Sequence, residues 1–172
     1  QTGLTARWGA AMRRDLGWAA RWQPAPSRQV LDHLESGEAE VGLFLSHPRT
    51  QHLEQEGLIH DRRLLARTEV WLIGPADDPA GIRAEKDPAR AIAQVLAARA
   101  AKVVSWQWGL PGDAPEPDGP LAHLAAQLVA QPVSAVSRPV VDGAPTYRLV
   151  TQAAWLAQGL ARAKAPAGTR IW

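Results

Sequence analysis

Residues 69–82 read EVWLIGPADDPAGI. Val70, Trp71, Leu72 and Ile73 form a short apolar run rich in β-branched and aromatic side chains, the composition of a strand. Gly74 to Ile82 is turn chemistry throughout, because Gly, Pro and Asp are the residues that end strands and hold tight bends. Asp87-Pro88 then opens a helix, with a capping carboxylate followed by proline in the first turn. Ile92, Val95 and Leu96 supply that helix with a buried stripe. Strand, turn and helix in that order predict an α/β protein.

The same alternation continues toward the amino end. Residues 40–45 (EVGLFL) are nearly continuous in apolar character, which predicts a parallel strand covered on both faces. Residues 49–56 predict a short helix stopped by Gly57. Ser27 predicts the cap of a helix that buries Val30, Leu31 and Leu34 and ends near Gly37. Residues 18–23 (WAARWQ) predict a short strand ahead of Pro24 and Pro26. Leu4, Trp8, Met12 and Leu16 recur every fourth residue and predict a helix over 3–16.

Toward the carboxyl end, residues 102–106 (KVVSW) predict a strand. Residues 109–120 (GLPGDAPEPDGP) form a Pro/Gly segment that suits a loop or a linker between lobes. A helix over 121–131 turns Leu121, Leu124 and Leu128 inward. Strands follow near 134–141 and 147–150. Thr151 then caps a last helix with Trp155, Leu156 and Leu160 on one face, and Arg170-Ile171-Trp172 begins another strand. The order implies mostly parallel sheets.

Composition narrows the function. The chain of 172 residues lacks cysteine, which removes disulfides, thiolate metal sites and a cysteine nucleophile. No apolar run reaches the roughly 18 residues a membrane-spanning helix needs. The net charge of +2 is spread rather than clustered, which argues against a nucleic-acid partner. Residues 1–30 carry five Arg against Asp15, residues 31–90 are net acidic, and residues 91–172 are net basic. Two readings fit that asymmetry: ordinary surface scatter, or a cleft that attracts anions. The chain opens on Gln1 with no secretory leader pattern, so a leader is either already removed or was never present.

Catalytic constellations are absent. His47 and His52 lie five apart, outside the i, i+4 spacing that puts two ligands on one helix face; with His60 they read as solvated or capping residues, and no metal is expected. Asp77-Asp78 read as turn formers. No nucleophile elbow, P-loop or dinucleotide fingerprint occurs, so neither an enzyme nor a cofactor is expected. Anion binding has firmer support. Ser27 stands at a helix amino terminus, where free backbone N–H groups and the helix dipole favour negative charge, and Arg28 adds a cation. Ser46 and Ser105 end strands 40–45 and 102–106, where open α/β sheets place ligands. Each hydroxyl also suits a plain cap or loop residue. Trp106 and Trp108 share one strand face, to wall a pocket or to pack a core.

Residues 36–82 add a resemblance. SGEAEVGLFLSHP, then QEGL, DRR and finally EVWLIGPADDPAGI resemble the tungstate-binding proteins of ABC importers, in the type II periplasmic binding-protein superfamily. Gly74, Pro75 and Asp77 to Ile82 carry its most specific part, the helix at 87–99 fits as well, and TYRLVTQAAWLA is similar to a late segment of the family. The resemblance implies two α/β lobes, 1–73 and, from the hinge turn onward, 74–172, closing over an oxyanion such as tungstate or molybdate, a periplasmic or other extracytoplasmic location, and a membrane permease as partner. It also implies that the family's first strand and its returning strand are missing from this chain. It places Ser27, Ser46 and Ser105 in ligand-facing loops. After Ser105, however, the chain reads WQWGLPGD where the family has an Arg and a Ser-Gly-Thr, and a late glycine loop is reduced to VDGAP. These departures open a second reading, a binding-protein-like sensor or interaction domain that no longer binds anions or serves transport.

Overall fold

The computed structural model describes residues 4–113, 116–138, 141–156 and 169–171. In chain order the elements are α1 (Leu4–Leu16), α2 (Ser27–Glu35), α3 (Arg49–Gln55), β1 (Val70–Pro75), α4 (Pro88–Ala100), β2 (Ser105–Trp108), α5 (Pro120–Leu128), α6 (Val133–Val136), β3 (Thr146–Thr151) and β4 (Thr169–Ile171). Residues 152–156 are helical, and the Thr151 hydroxyl accepts from Ala154 N–H at 3.2 Å, the expected cap. Leu160 lies outside the described residues.

One sheet organises residues 70–171, in the order β2-β3-β1-β4. β2 runs parallel to β3, with Trp106 opposite Tyr147 and Trp108 opposite Leu149. β1 runs antiparallel to both β3 and β4, with Leu72 opposite Leu149 and Ile73 opposite Ile171. The α/β expectation holds, and the strand expected at Arg170-Ile171 is β4. The expectation of mostly parallel pairing does not hold for this sheet, since one of its three pairs is parallel. The reason lies in the crossovers. β2 reaches β3 through α5 and α6, as a parallel connection requires, whereas β3 and β4 return beside β1 in the opposite sense.

Alternation along the strands fills two cores. Trp106, Trp108, Tyr147 and Leu149 pack against Ile92, Val95 and Leu96 of α4 and against Ala122, Ala125 and Ala126 of α5. Small alanine side chains let α5 lie close to α4 and α6. On the opposite face, Ile73, Val150 and Leu110 pack with Trp71 and Trp155. The two strand tryptophans therefore serve mainly as core, with ring centroids 4.9 Å apart in an edge-on arrangement.

Several expected strands are not strands. Residues 18–23 and 40–45 join no ladder among the described residues. Segment 40–45 is not covered on both faces: Gly42 lies against Val30 and Leu34 of α2, while Val41 is 83% exposed. Residues 134–136, expected within a strand, lie in α6 instead. Pro132 provides its amino-terminal boundary. The buried Arg99 guanidinium donates to the carbonyls of Val136 at 2.8 Å and Ala135 at 3.0 Å, satisfying acceptors that a short helix leaves free. Residues 139 and 140 of that expected strand lie outside the described residues. Strand 102–106 is displaced to 105–108, because Lys102 adopts a left-handed φ of 59° and closes α4.

Candidate functional site

The GPADDPAGI turn is held by a set of side-chain hydrogen bonds, and its role is structural. Asp78 sits at φ 49°, a conformation Asp tolerates better than most residues. Its carboxylate accepts from Ile82 N–H at 3.1 Å, Arg83 N–H at 2.8 Å and the Tyr147 hydroxyl at 2.7 Å. Burial pushes its pKa up, but the Tyr147 bond, the two amide bonds and the Arg83 charge outweigh that and hold it below the ordinary carboxylate value. Burial and the Asp78 bond push the Tyr147 phenol well above its ordinary value.

Two cavities lie where α2 meets the Pro/Gly loop and the start of α5. A cavity of about 300 Å³ is lined by Arg28, Asp32, His47, Arg49, Asp118 and His123. A second, of about 290 Å³, is lined by Pro26, Trp108, Gly109, Asp113, Glu116 and Leu121. The two share the start of α2 on one side and the segment Asp113 to His123 on the other.

Of the four expected ligand residues, Arg28 lines the first cavity directly. Ser27 is the first residue of α2 rather than its cap; Pro26 holds the cap position, where no side chain caps the helix. The Ser27 hydroxyl instead accepts from Leu45 N–H at 3.2 Å, which fixes segment 40–46 across the start of the helix. Ser46 is exposed, between Leu45 and the cavity-lining His47. Ser105 is corrected in place: it opens β2 instead of ending a strand, is fully buried, and lines neither cavity. Among the described residues its hydroxyl has no hydrogen-bond partner.

The remaining residues of the site were not anticipated. His47 Nδ1 accepts from Arg49 N–H at 3.1 Å, which leaves its proton on Nε2, and Nε2 meets the Asp118 carbonyl at 3.2 Å. The His123 ring stands edge-on to His47 with centroids 4.9 Å apart. Burial and the neighbouring His47 lower the His123 pKa, against the opposing charge of Asp118. Arg28 pairs with Asp118, and Arg49 with Asp32 and Glu35. Arg28 N–H, one of the unpaired amides of the first turn of α2, meets the Glu116 carboxylate at 3.4 Å. Near the second cavity, Arg148 of β3 donates to the Leu110 carbonyl at 3.4 Å; burial lowers its pKa while Asp113 raises it. No periodicity marks Glu116, Asp118, His123 or Arg148. The one sequence signal was acidic residues inside a Pro/Gly loop.

Chemically, the junction brings Arg28, Arg49, His47 and His123 together with the carboxylates of Asp32, Asp113, Glu116 and Asp118, and both Arg side chains are ion-paired. No group of three or more His, Asp or Glu is placed to hold a metal ion among the described residues. No described helix is long and apolar enough to cross a membrane. No family model and no curated protein matches the chain in sequence. Two solved structures match its fold. One is the tungstate-binding protein TupA from Desulfovibrio alaskensis G20, 18% identical, with a TM-score of 0.55. The other is a periplasmic protein proposed to bind metal, 18% identical, with a TM-score of 0.61. Each match covers 99% of this chain and 70% of the other. This chain thus has the α/β fold of those binding proteins, over nearly its whole length.

Proposed function

We propose that the protein is an extracytoplasmic solute-binding protein that holds a small oxyanion, such as tungstate or molybdate, and presents it to the permease of an ABC importer. One observation carries this reading. The Arg28 backbone N–H, in the first turn of α2, and the Arg28 guanidinium both already meet anions, the carboxylates of Glu116 and Asp118. A helix amino terminus with an adjacent cation favours negative charge, and charge-assisted bonds to several oxygens suit a tetrahedral oxyanion.

In this reading Arg28 supplies charge, and the amides of Ser27 and Arg28 supply donors. Ser46 supplies a hydroxyl from the neighbouring loop. The Ser27 side chain positions segment 40–46 instead of touching the ligand, and Ser105 takes no part. The first lobe, 1–73, would contribute α2 and His47, and the second, 74–172, would contribute Asp118 and His123. Closure of one upon the other over the ligand is the signal a permease would read. The likeness in fold to a tungstate-binding protein and to a periplasmic protein supports the ligand class and the location.

A thermal-shift panel with tungstate, molybdate, sulfate, phosphate and buffer tests this. Ligand at 100 times its dissociation constant adds about 2.7 kcal/mol. That corresponds to roughly 5–10 °C for a chain of this size. A shift selective for tungstate and molybdate supports the reading. A cooperative melt that no anion moves favours the second reading, a binding-protein-like sensor or interaction domain that has lost anion binding. The carboxylates already seated at α2 are the observation on its side.

A further inference from the structure

We propose that the His47–His123 ring pair is an acid-labile latch, which holds α2 and α3 against α5 while both rings are neutral and releases them when the rings take up protons. The inference goes beyond the binding reading and needs no ligand.

The pair joins two distant parts of the chain. His47 stands just ahead of α3, His123 lies in the first turn of α5, and their rings meet edge-on with centroids 4.9 Å apart. That arrangement suits two neutral imidazoles. Two imidazolium rings at the same separation repel. The His47 hydrogen bonds set where its proton sits. Nδ1 accepts from Arg49 N–H at 3.1 Å, and Nε2 donates to the Asp118 carbonyl at 3.2 Å. A second proton would have to go on Nδ1, where it would face the Arg49 N–H and end that bond. Among the described residues, neither apolar core includes a side chain ahead of Val70, so α2 and α3 are held to the sheet from outside it. Residues 60–67, exposed and outside any helix or ladder, are a tether that lets them move while the sheet stays intact.

Charged groups face the pair from every side. Arg28 and Asp32 come from α2, Arg49 from α3 and Asp118 from the loop before α5, and they line the same cavity of about 300 Å³ as the two rings. Their carboxylates are already committed: Asp118 to Arg28, and Asp32 with Glu35 to Arg49, while Glu116 meets the Arg28 N–H at 3.4 Å. The Arg28–Asp118 pair is about half exposed on both sides, and such pairs hold weakly. Burial and the neighbouring His47 keep the His123 pKa below its ordinary value, against the charge of Asp118. A histidine whose pKa falls on closure favours the closed form above its ordinary pKa. That contribution is lost as pH falls through the lowered value.

The test is fluorescence energy transfer across the junction in the full chain. The chain lacks cysteine, so Gln51→Cys on α3 and Gln127→Cys on α5, both at exposed positions, take one dye pair. Transfer and far-UV circular dichroism are read from about pH 8 to about pH 5, the range in which histidine changes charge. The labelled chain is compared with His123→Gln, His47→Asn and the double variant on the same background. Neither replacement titrates in that range, and the asparagine of His47→Asn keeps an acceptor for the Arg49 N–H. Should one single variant not fold, the other still reads the latch. The expected result is a loss of transfer in the wild-type background as pH falls below about 6.5, with circular dichroism unchanged. The loss is smaller in each single variant and absent in the double variant. Transfer that stays constant with pH in the wild-type background would overturn the latch, and so would an equal loss in the double variant. Circular dichroism that falls together with transfer would overturn it as well, because the acid transition would then be global unfolding.

Discussion

Tyr147 on β3 donates its hydroxyl to Asp78 at 2.7 Å and accepts from Ala80 N–H at 3.1 Å, tying the central strand pair to the turn that follows β1. The bond joins residues 69 positions apart. It makes the most specific sequence feature of the chain, GPADDPAGI, a structural clasp and not a catalytic one.

Removing either end of the clasp is expected to destabilise. Asp78→Asn keeps the left-handed turn but loses the charge-assisted bonds, at a cost of about 1–3 kcal/mol. Tyr147→Phe leaves Ala80 N–H unpaired, at a cost of about 1–2 kcal/mol. The pH dependence follows from the sign of the Asp78 shift. Its pKa is held below the ordinary value on folding, so its contribution is present above the unfolded pKa and is lost as pH falls through the folded one. Urea melts from neutral pH into the acid range should lose stability more steeply in wild type than in Asp78→Asn. Parallel slopes would rule out the clasp as the source.

Gly74 provides an independent check on the same corner. A Cβ placed there would run into the edge of the Tyr147 ring. Gly74→Ala is expected to cost about 1–3 kcal/mol through forced repacking. A chemical denaturation midpoint equal to wild type would show that the ring has room to yield.

Asp87 caps α4, accepting from Ala89 N–H at 2.9 Å ahead of Pro88. Asp87→Ala is expected to cost about 0.5–2 kcal/mol. The thermal midpoint measures it, and no change would mean that Pro88 alone sets the helix start.

This cap also marks what the sequence makes legible. Asp87-Pro88, the Gly74 to Ile82 turn and the stripe Ile92, Val95, Leu96 are local signals, and each sits where its chemistry puts it. Strand pairing is another matter. The apolar run at 40–45 carries the composition of a buried strand, but composition does not say whether neighbouring backbone is there to bond it. The candidate site is half legible for a similar reason. Arg28 follows from its place at a helix start. Glu116, Asp118 and His123 reach it from far along the chain, and no periodicity encodes such a meeting. Ser105 was misplaced because the strand begins at it, a boundary that Lys102 sets through its backbone conformation.

The open state of segment 40–45 can be measured. Val41→Lys is expected to change stability by no more than about 0.5 kcal/mol, as for other exposed positions. A strand covered on both faces would suffer several times that. A large loss in the denaturation midpoint would restore the buried-strand expectation.

The central claim is that a small oxyanion binds at the start of α2 through Arg28. Calorimetric titration of tungstate into wild type and Arg28→Ala tests it most directly. The account predicts saturable binding in wild type, and at least about a tenfold loss of affinity in the variant, the scale of one charge-assisted hydrogen bond. Equal affinity in the two proteins, or no binding in wild type that still melts cooperatively, would contradict it.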